Sequence, residues 1–173
     1  MPNVIESAPT GRSKCRGCAQ AIPKGSLRFG ERLPNPFAEG EMTQWFHPEC
    51  AAYKRPEPFL QTLSEAPESI PGREQLAQAA QLTVDHRRLP RIDGAERAPS
   101  GKAKCRHCHS PIERGNWRIR LVFYEDGLFT AGGFVHLTCC NAYFEAGDVR
   151  EHVLHFSPAL SPDEREELRR ESW

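Results

Sequence analysis

Hydrophobic and polar positions alternate most clearly in the stretch WRIRLVFY, residues 117–124. A period of two puts Trp117, Ile119 and Leu121 on one face of a strand, with Arg118 and Arg120 on the other. SLRFGERL, residues 26–33, reads as a similar strand earlier in the chain. Each segment leads into a turn, marked by Gly40 in one case and Gly127 in the other, and then into a second short strand over 43–47 or 132–136. Short helical stretches follow at 50–55 and 139–147. The pattern predicts an antiparallel ribbon of two or three strands with short helices, built twice. A further helix is expected over 73–82, followed by a polar, extended run, DHRRLPRIDGAERAPSG. Near the end, Ser161 is the N-cap of a last helix, Pro162 its first residue and Glu164 the capping-box partner. Asp163 and Glu164 at its start and Arg169 and Arg170 at its end suit the helix dipole.

The doubling extends into the loops ahead of the strands. Cys15 and Cys18 correspond to Cys105 and Cys108, Gly25 to Gly115 and Arg28 to Arg118. A chain of 173 residues divided this way gives two units, each below about 80 residues, where apolar burial alone is marginal. Only 38% of the residues are hydrophobic, and fifteen prolines and thirteen glycines keep the elements short. The seven cysteines are the available staples. The start, MPNVIESAPT, lacks the pattern of a signal peptide, and no apolar run approaches the ~20 residues that span a bilayer. Cysteines paired with histidines then read as metal ligands rather than disulfides.

The spacing is specific. Cys15, Cys18, His47 and Cys50 form a Cys-x2-Cys-x28-His-x2-Cys set; Cys105, Cys108, His136 and Cys139 form Cys-x2-Cys-x27-His-x2-Cys. Three thiolates and one imidazole suit tetrahedral Zn²⁺ and leave no open position, so both sites are structural and their binding free energy supports folding. One ion per unit is expected. Cys140 is left over and reads as a small buried residue at the start of a helix. His107 and His109 read as surface residues near phosphate; His86, His152 and His155 fit no pattern.

Net charge is zero, from 23 basic and 23 acidic residues, which argues against a general polyanion binder. Basic residues nevertheless gather beside the cysteines at matching offsets: Arg12, Lys14 and Arg16 in one half, Lys102, Lys104 and Arg106 in the other.

With both ligand sets in view, the chain resembles the poly(ADP-ribose) polymerase-type zinc fingers, which occur in those polymerases and in a nuclear DNA ligase. The resemblance rests on Gly11-Arg12-Ser13, Cys15, Cys18, Ile22 to Arg28, Gly40, Trp45-Phe46-His47 and Cys50. In the second half it rests on Ser100-Gly101-Lys102, Cys105, Cys108, Pro111-Ile112, Gly115, Arg118, Gly127, Phe134, His136 and Cys139. The fold class it implies is a pair of small α+β zinc-stabilised domains, two tandem fingers, each a short antiparallel β-ribbon or sheet with short helices. Residues 1–7 are expected to be disordered, 8–83 to form finger one with a trailing helix, 84–99 a linker, and 100–173 finger two with a C-terminal helix.

The resemblance implies recognition of DNA nicks, gaps and ends by shape rather than base sequence. Arg12, Lys14, Arg16 and Arg28, with Lys102, Lys104, Arg106, Arg118 and Arg120, would grip phosphates. The family covers exposed base faces with apolar residues at the tip of its strand-connecting loop. Here those are Phe37 and Met42 in finger one and Tyr124 and Phe129 in finger two; Phe29, Trp45, Trp117 and Phe134 are expected in the cores. No polymerase catalytic domain and no nucleophilic constellation is visible, so the expectation is a monomeric, non-enzymatic binder of broken DNA. Its expected partner is a DNA repair enzyme, in a bacterial cytosol beside the nucleoid or in a nucleus. A zinc-stabilised protein adaptor and a single-stranded DNA or RNA binder remain the alternatives.

Overall fold

In the computed structural model, which describes residues 2–67 and 69–173, the chain forms two units that divide between Arg87 and Arg88. The first contains strands β1 (Val4–Ser7), β2 (Leu27–Pro34) and β3 (Glu41–Phe46), then helices α1 (Pro48–Lys54), α2 (Pro56–Glu65) and α3 (Arg73–Asp85). The second contains β4 (Ile92–Arg97), β5 (Trp117–Glu125) and β6 (Leu128–His136), then α4 (Cys140–Phe144), α5 (Arg150–His155) and α6 (Pro162–Arg170). Each sheet has three antiparallel strands with the second in the middle. Among the described residues no helix is long and apolar enough to cross a membrane.

In the first unit Phe29 projects from the central strand against Phe46 and, edge-on at 5.4 Å between ring centroids, against Phe59 of α2. These rings, with Ile22, Ala51, Ala52 and Leu63, are buried. The α1–α2 corner falls at Arg55 because the residue before a proline is excluded from helical backbone, and Arg55 takes φ −134° and ψ 60°. Its guanidinium makes two bonds of 2.7 Å to the buried carboxylate of Glu31 on β2, which fixes the corner to the sheet. Arg73 at the start of α3 donates to the carbonyls of Leu63, Ala66 and Pro67, closing the free end of α2.

The second core gathers Ile92, Ile119, Leu121, Val135, Val153, Leu154, Phe156 and Leu168. β4 carries a bulge between Ile92 and Ala95. Gly94 occupies it at φ 97°, where a Cβ would stand 2.2 Å from the Phe156 carbonyl oxygen, so only glycine fits. The expected capping box of α6 is present: Ser161 Oγ accepts from the Glu164 N–H and the Glu164 carboxylate accepts from the Ser161 N–H.

Two boundaries need correction. Residues 4–7, expected to be disordered, form edge strand β1 on β2, while Met1 lies outside the described residues. Residues 84–99, expected to be a linker, contain the end of α3, a 3-10 turn over Leu89–Arg91 and all of β4. Both misreadings have one cause. VIES and IDGAER are too short and polar to signal a strand, and they become strands only because β2 and β5 present open hydrogen-bonding edges to them.

Candidate zinc centres and nucleic-acid interface

Each Cys-x-x-Cys sits on a loop folded back on itself by a bridge, Lys14 with Ala21 or Lys104 with Pro111. The turn passes through left-handed backbone at Ala19 (φ 64°) and His109 (φ 65°). His47 follows β3 and His136 ends β6; Cys50 lies in the first turn of α1 and Cys139 ends the 3-10 turn ahead of α4. The four ligand atoms of each set lie within 4.8 Å of one another. Nδ1 of His47 is 3.3 Å from Cys18 Sγ and 3.8 Å from Cys50 Sγ; Nδ1 of His136 is 3.4 Å from Cys108 Sγ and 3.8 Å from Cys139 Sγ. A tetrahedron with zinc–sulfur bonds of about 2.3 Å has edges of about 3.5–3.8 Å, so both sets match the ion.

The second layer is built twice as well. His47 Nε2 lies 3.2 Å from the Ala21 carbonyl and His136 Nε2 lies 3.2 Å from the Pro111 carbonyl. A proton on Nε2 donated there leaves Nδ1 as the metal ligand. The backbone N–H groups of Gly17 and His47 point at Cys15 Sγ, and those of His107 and His136 at Cys105 Sγ, which stabilises thiolate charge.

The chemistry of the donors points the same way. In the first centre, hydrogen bonds from Cys15 and Cys50 hold Cys18 far below the usual thiol range, while those same contacts, with burial, push Cys50 far above it. In the second, the Ser110 backbone N–H lowers Cys108 to about 6, and burial followed by Cys105 pushes Cys139 up to about 12. Three crowded sulfurs cannot all ionise unaided, and a divalent cation removes that conflict. Cys140 stands apart: it is buried, it points its thiol at the His136 carbonyl 3.6 Å away, and burial raises its pKa.

The expected DNA-contact residues separate into two groups. Arg12, Lys14 and Arg16 are exposed on the first zinc loop, as are Lys102, Lys104 and Arg106 on the second. Arg28 and Arg118, by contrast, are only 8% and 7% exposed. Arg28 stacks 3.4 Å from the Trp45 centroid, donates to Ser13 Oγ and pairs with Glu6; Arg118 stacks 3.5 Å from the Phe134 centroid and pairs with Glu96. Trp45 and Phe134 are therefore half-buried lids over arginines rather than core residues. Arg120 is tied to Glu96 and to the Asp93 carbonyl.

The strand-connecting tips also differ from expectation. Phe37, in the loop between β2 and β3, is 81% exposed, whereas Met42 is half-buried opposite Leu33. In the second unit the chain turns through Asp126 and Gly127, both at positive φ, and the cross-strand pair Tyr124 and Phe129 pack on each other at 4.7 Å. Leu128 is the exposed apolar residue at that tip. Glu6 and Glu96 were not among the expected site residues. The signal was present, because Glu-x-Ala-Pro precedes both cysteine loops at the same offset, at Glu6–Pro9 and Glu96–Pro99.

Fold and ligands together define a tandem zinc-finger protein whose units are held by closed Cys3His centres. Residues 6–87 match the family described as the poly(ADP-ribose) polymerase and DNA-ligase Zn-finger region. The chain is similar to poly [ADP-ribose] polymerase of Drosophila melanogaster, 25% identical over 140 residues, covering 72% of this chain and 14% of that one. Poly [ADP-ribose] polymerase 1 of Caenorhabditis elegans is 40% identical over 50 residues, 29% of this chain and 5% of that one. The polynucleotide 3'-phosphatase ZDP of Arabidopsis thaliana is 25% identical over 192 residues, covering 96% of this chain and 28% of that one. The chain thus spans a minor part of the relatives it matches.

Proposed function

We propose that this chain binds DNA at strand breaks, recognising nicks, gaps or ends by shape, and that it supplies binding rather than catalysis. The observation that carries the reading is Phe37, 81% exposed at the loop tip of a unit whose zinc loop presents Arg12, Lys14 and Arg16 to solvent. A phenylalanine in that position is free to lie on the base pair that a break uncovers, and burying its ring contributes about 2–3 kcal/mol. Phosphate contacts from the zinc loops fix the orientation, and the half-exposed edge of Trp45 keeps the buried Arg28 beside them. The second unit, with its closed Tyr124–Phe129 tip, contributes Leu128 and the Lys102–Arg106 loop. Relatives named as a poly [ADP-ribose] polymerase and a polynucleotide 3'-phosphatase support a role in DNA repair; we take a repair enzyme as the partner and a monomer as the working form.

Fluorescence anisotropy with a nicked hairpin duplex, an intact duplex of equal sequence and a single strand tests this at physiological salt. Preference for the nicked duplex, lost on chelation, is the expected result. Equal weak binding to all three overturns the reading and directs attention to protein partners.

A further inference from the structure

The second unit carries a basic surface that starts at Arg106 of the zinc loop and continues onto residues outside both that loop and the hairpin tip. Arg88 lies 4.8 Å from the Tyr143 ring centroid and donates to the Tyr143 carbonyl at 2.9 Å. Arg91 donates to the Tyr143 hydroxyl at 2.9 Å and lies 4.8 Å from the Phe123 ring. Arg106 reaches the same ring at 5.9 Å and donates through Nε to the Gly132 carbonyl at 2.7 Å. Three guanidinium groups are thereby strung along two aromatic rings.

Their partners are all neutral. Arg97, Arg118, Arg120, Arg150 and Arg169 of this unit each meet a carboxylate. Among the described residues none of the three arginines in the row does. Two cations on one ring with no counter-ion repel each other, and an anion would relieve that repulsion. The backbone is also shaped around the row: a Cβ on Gly132 would stand 2.5 Å from the Phe123 ring, and one on Gly133, at φ 95°, 2.9 Å from Arg106 Nε. The row is specific to this unit. By the repeat's spacing Phe123 corresponds to Leu33, and Tyr143 corresponds to Lys54, which is buried.

We infer that Arg88, Arg91 and Arg106 form a row that grips successive phosphates of a DNA duplex, extending the grip of Lys102 and Lys104. A line of fixed, planar donors suits a polymer that repeats its charge, where a lone phosphate would engage one or two of them. The inference rests on the DNA-binding reading above.

The test compares the full-length zinc-loaded chain with R91Q/R106Q and with R169Q/R170Q, which removes the same charge from α6. Zinc content verifies folding, and the readouts are affinity for the nicked hairpin duplex and the salt dependence of binding. R91Q/R106Q should bind about tenfold more weakly, with a log–log salt slope smaller by about two, since each phosphate contact contributes about 0.9. R169Q/R170Q should bind as the parent does. Parent-like affinity and slope in R91Q/R106Q, or an equal loss in R169Q/R170Q, overturns the row alone. A parent chain that binds no duplex overturns the DNA-binding reading as well. Where R91Q/R106Q loses zinc, R91K/R106K decides: it keeps the charge but loses the stacked forks, and parent-like binding by it overturns the row.

Discussion

The guanidinium carbon of Arg28 lies 3.4 Å from the centroid of the Trp45 ring. Trp45 is directly opposite Gly30 on the neighbouring strand, and its ring reaches Arg28 by crossing the bare backbone there. A Cβ at residue 30 would meet that ring at 2.5 Å. The substitution Gly30→Ala should therefore lift Trp45 from Arg28 and cost the first unit about 1–3 kcal/mol. Denaturant unfolding measures the loss, and tryptophan fluorescence reports the displaced ring; an unchanged spectrum would contradict the arrangement.

Zinc should be stoichiometric and structural. Metal analysis is expected to find two ions per chain, one after His47→Ala, and cooperative loss of the remaining fold on chelation. A fully folded, metal-free protein would refute the two-centre account.

Phe37 makes the opposite kind of prediction. At 81% exposure, Phe37→Ala should leave stability within about 0.5 kcal/mol of the parent. Affinity for a nicked duplex should nevertheless fall by about tenfold or more, while weak binding to intact duplex stays level. Parallel losses on both duplexes would place Phe37 outside break recognition.

Glu31 is buried and holds Arg55 at the α1–α2 corner. Glu31→Gln removes the carboxylate that the partly exposed Arg55 guanidinium grips, at a cost of about 2–3 kcal/mol. Thermal unfolding of the first unit checks this, and a change below measurement error would mean that solvent replaces the pair.

The α6 cap gives a pH dependence. The Ser161 backbone N–H, and then its side chain, hold the Glu164 carboxyl below the usual carboxylate range. A depressed folded value means the cap contributes fully above the ordinary carboxylate pKa and loses its contribution as pH falls through the lowered one. Amide exchange at the start of α6 should accelerate over that acidic window, and Ser161→Ala, at about 1 kcal/mol, should shrink the pH step to the part that the backbone N–H of residue 161 supplies.

Much of the site was legible in the sequence because its chemistry is local or tightly spaced. The two ligand sets, the Ser161 cap and the exposed zinc-loop cations depend on residue type and interval, and they stand where those intervals put them. The edge strands were not legible. Val4–Ser7 and Ile92–Arg97 have little strand character of their own, and Asp93-Gly94 resembles a turn until β5 supplies the hydrogen-bond edge. Nor did alternation reveal the state of Arg28 and Arg118. A period of two puts each on the polar face, but whether that face is open depends on what the next strand lays across it.

The sequence by itself determined that there are two units, which eight side chains can hold zinc, and where the last helix begins. Tertiary structure alone decided which cations are free to meet a partner. Arg28 and Arg118 are covered by aromatic rings from across the sheet, and Arg88, Arg91 and Arg106 are brought to shared rings from separate segments. The reason is physical: charge belongs to a residue, but its exposure and counter-ions belong to neighbours that only folding brings near.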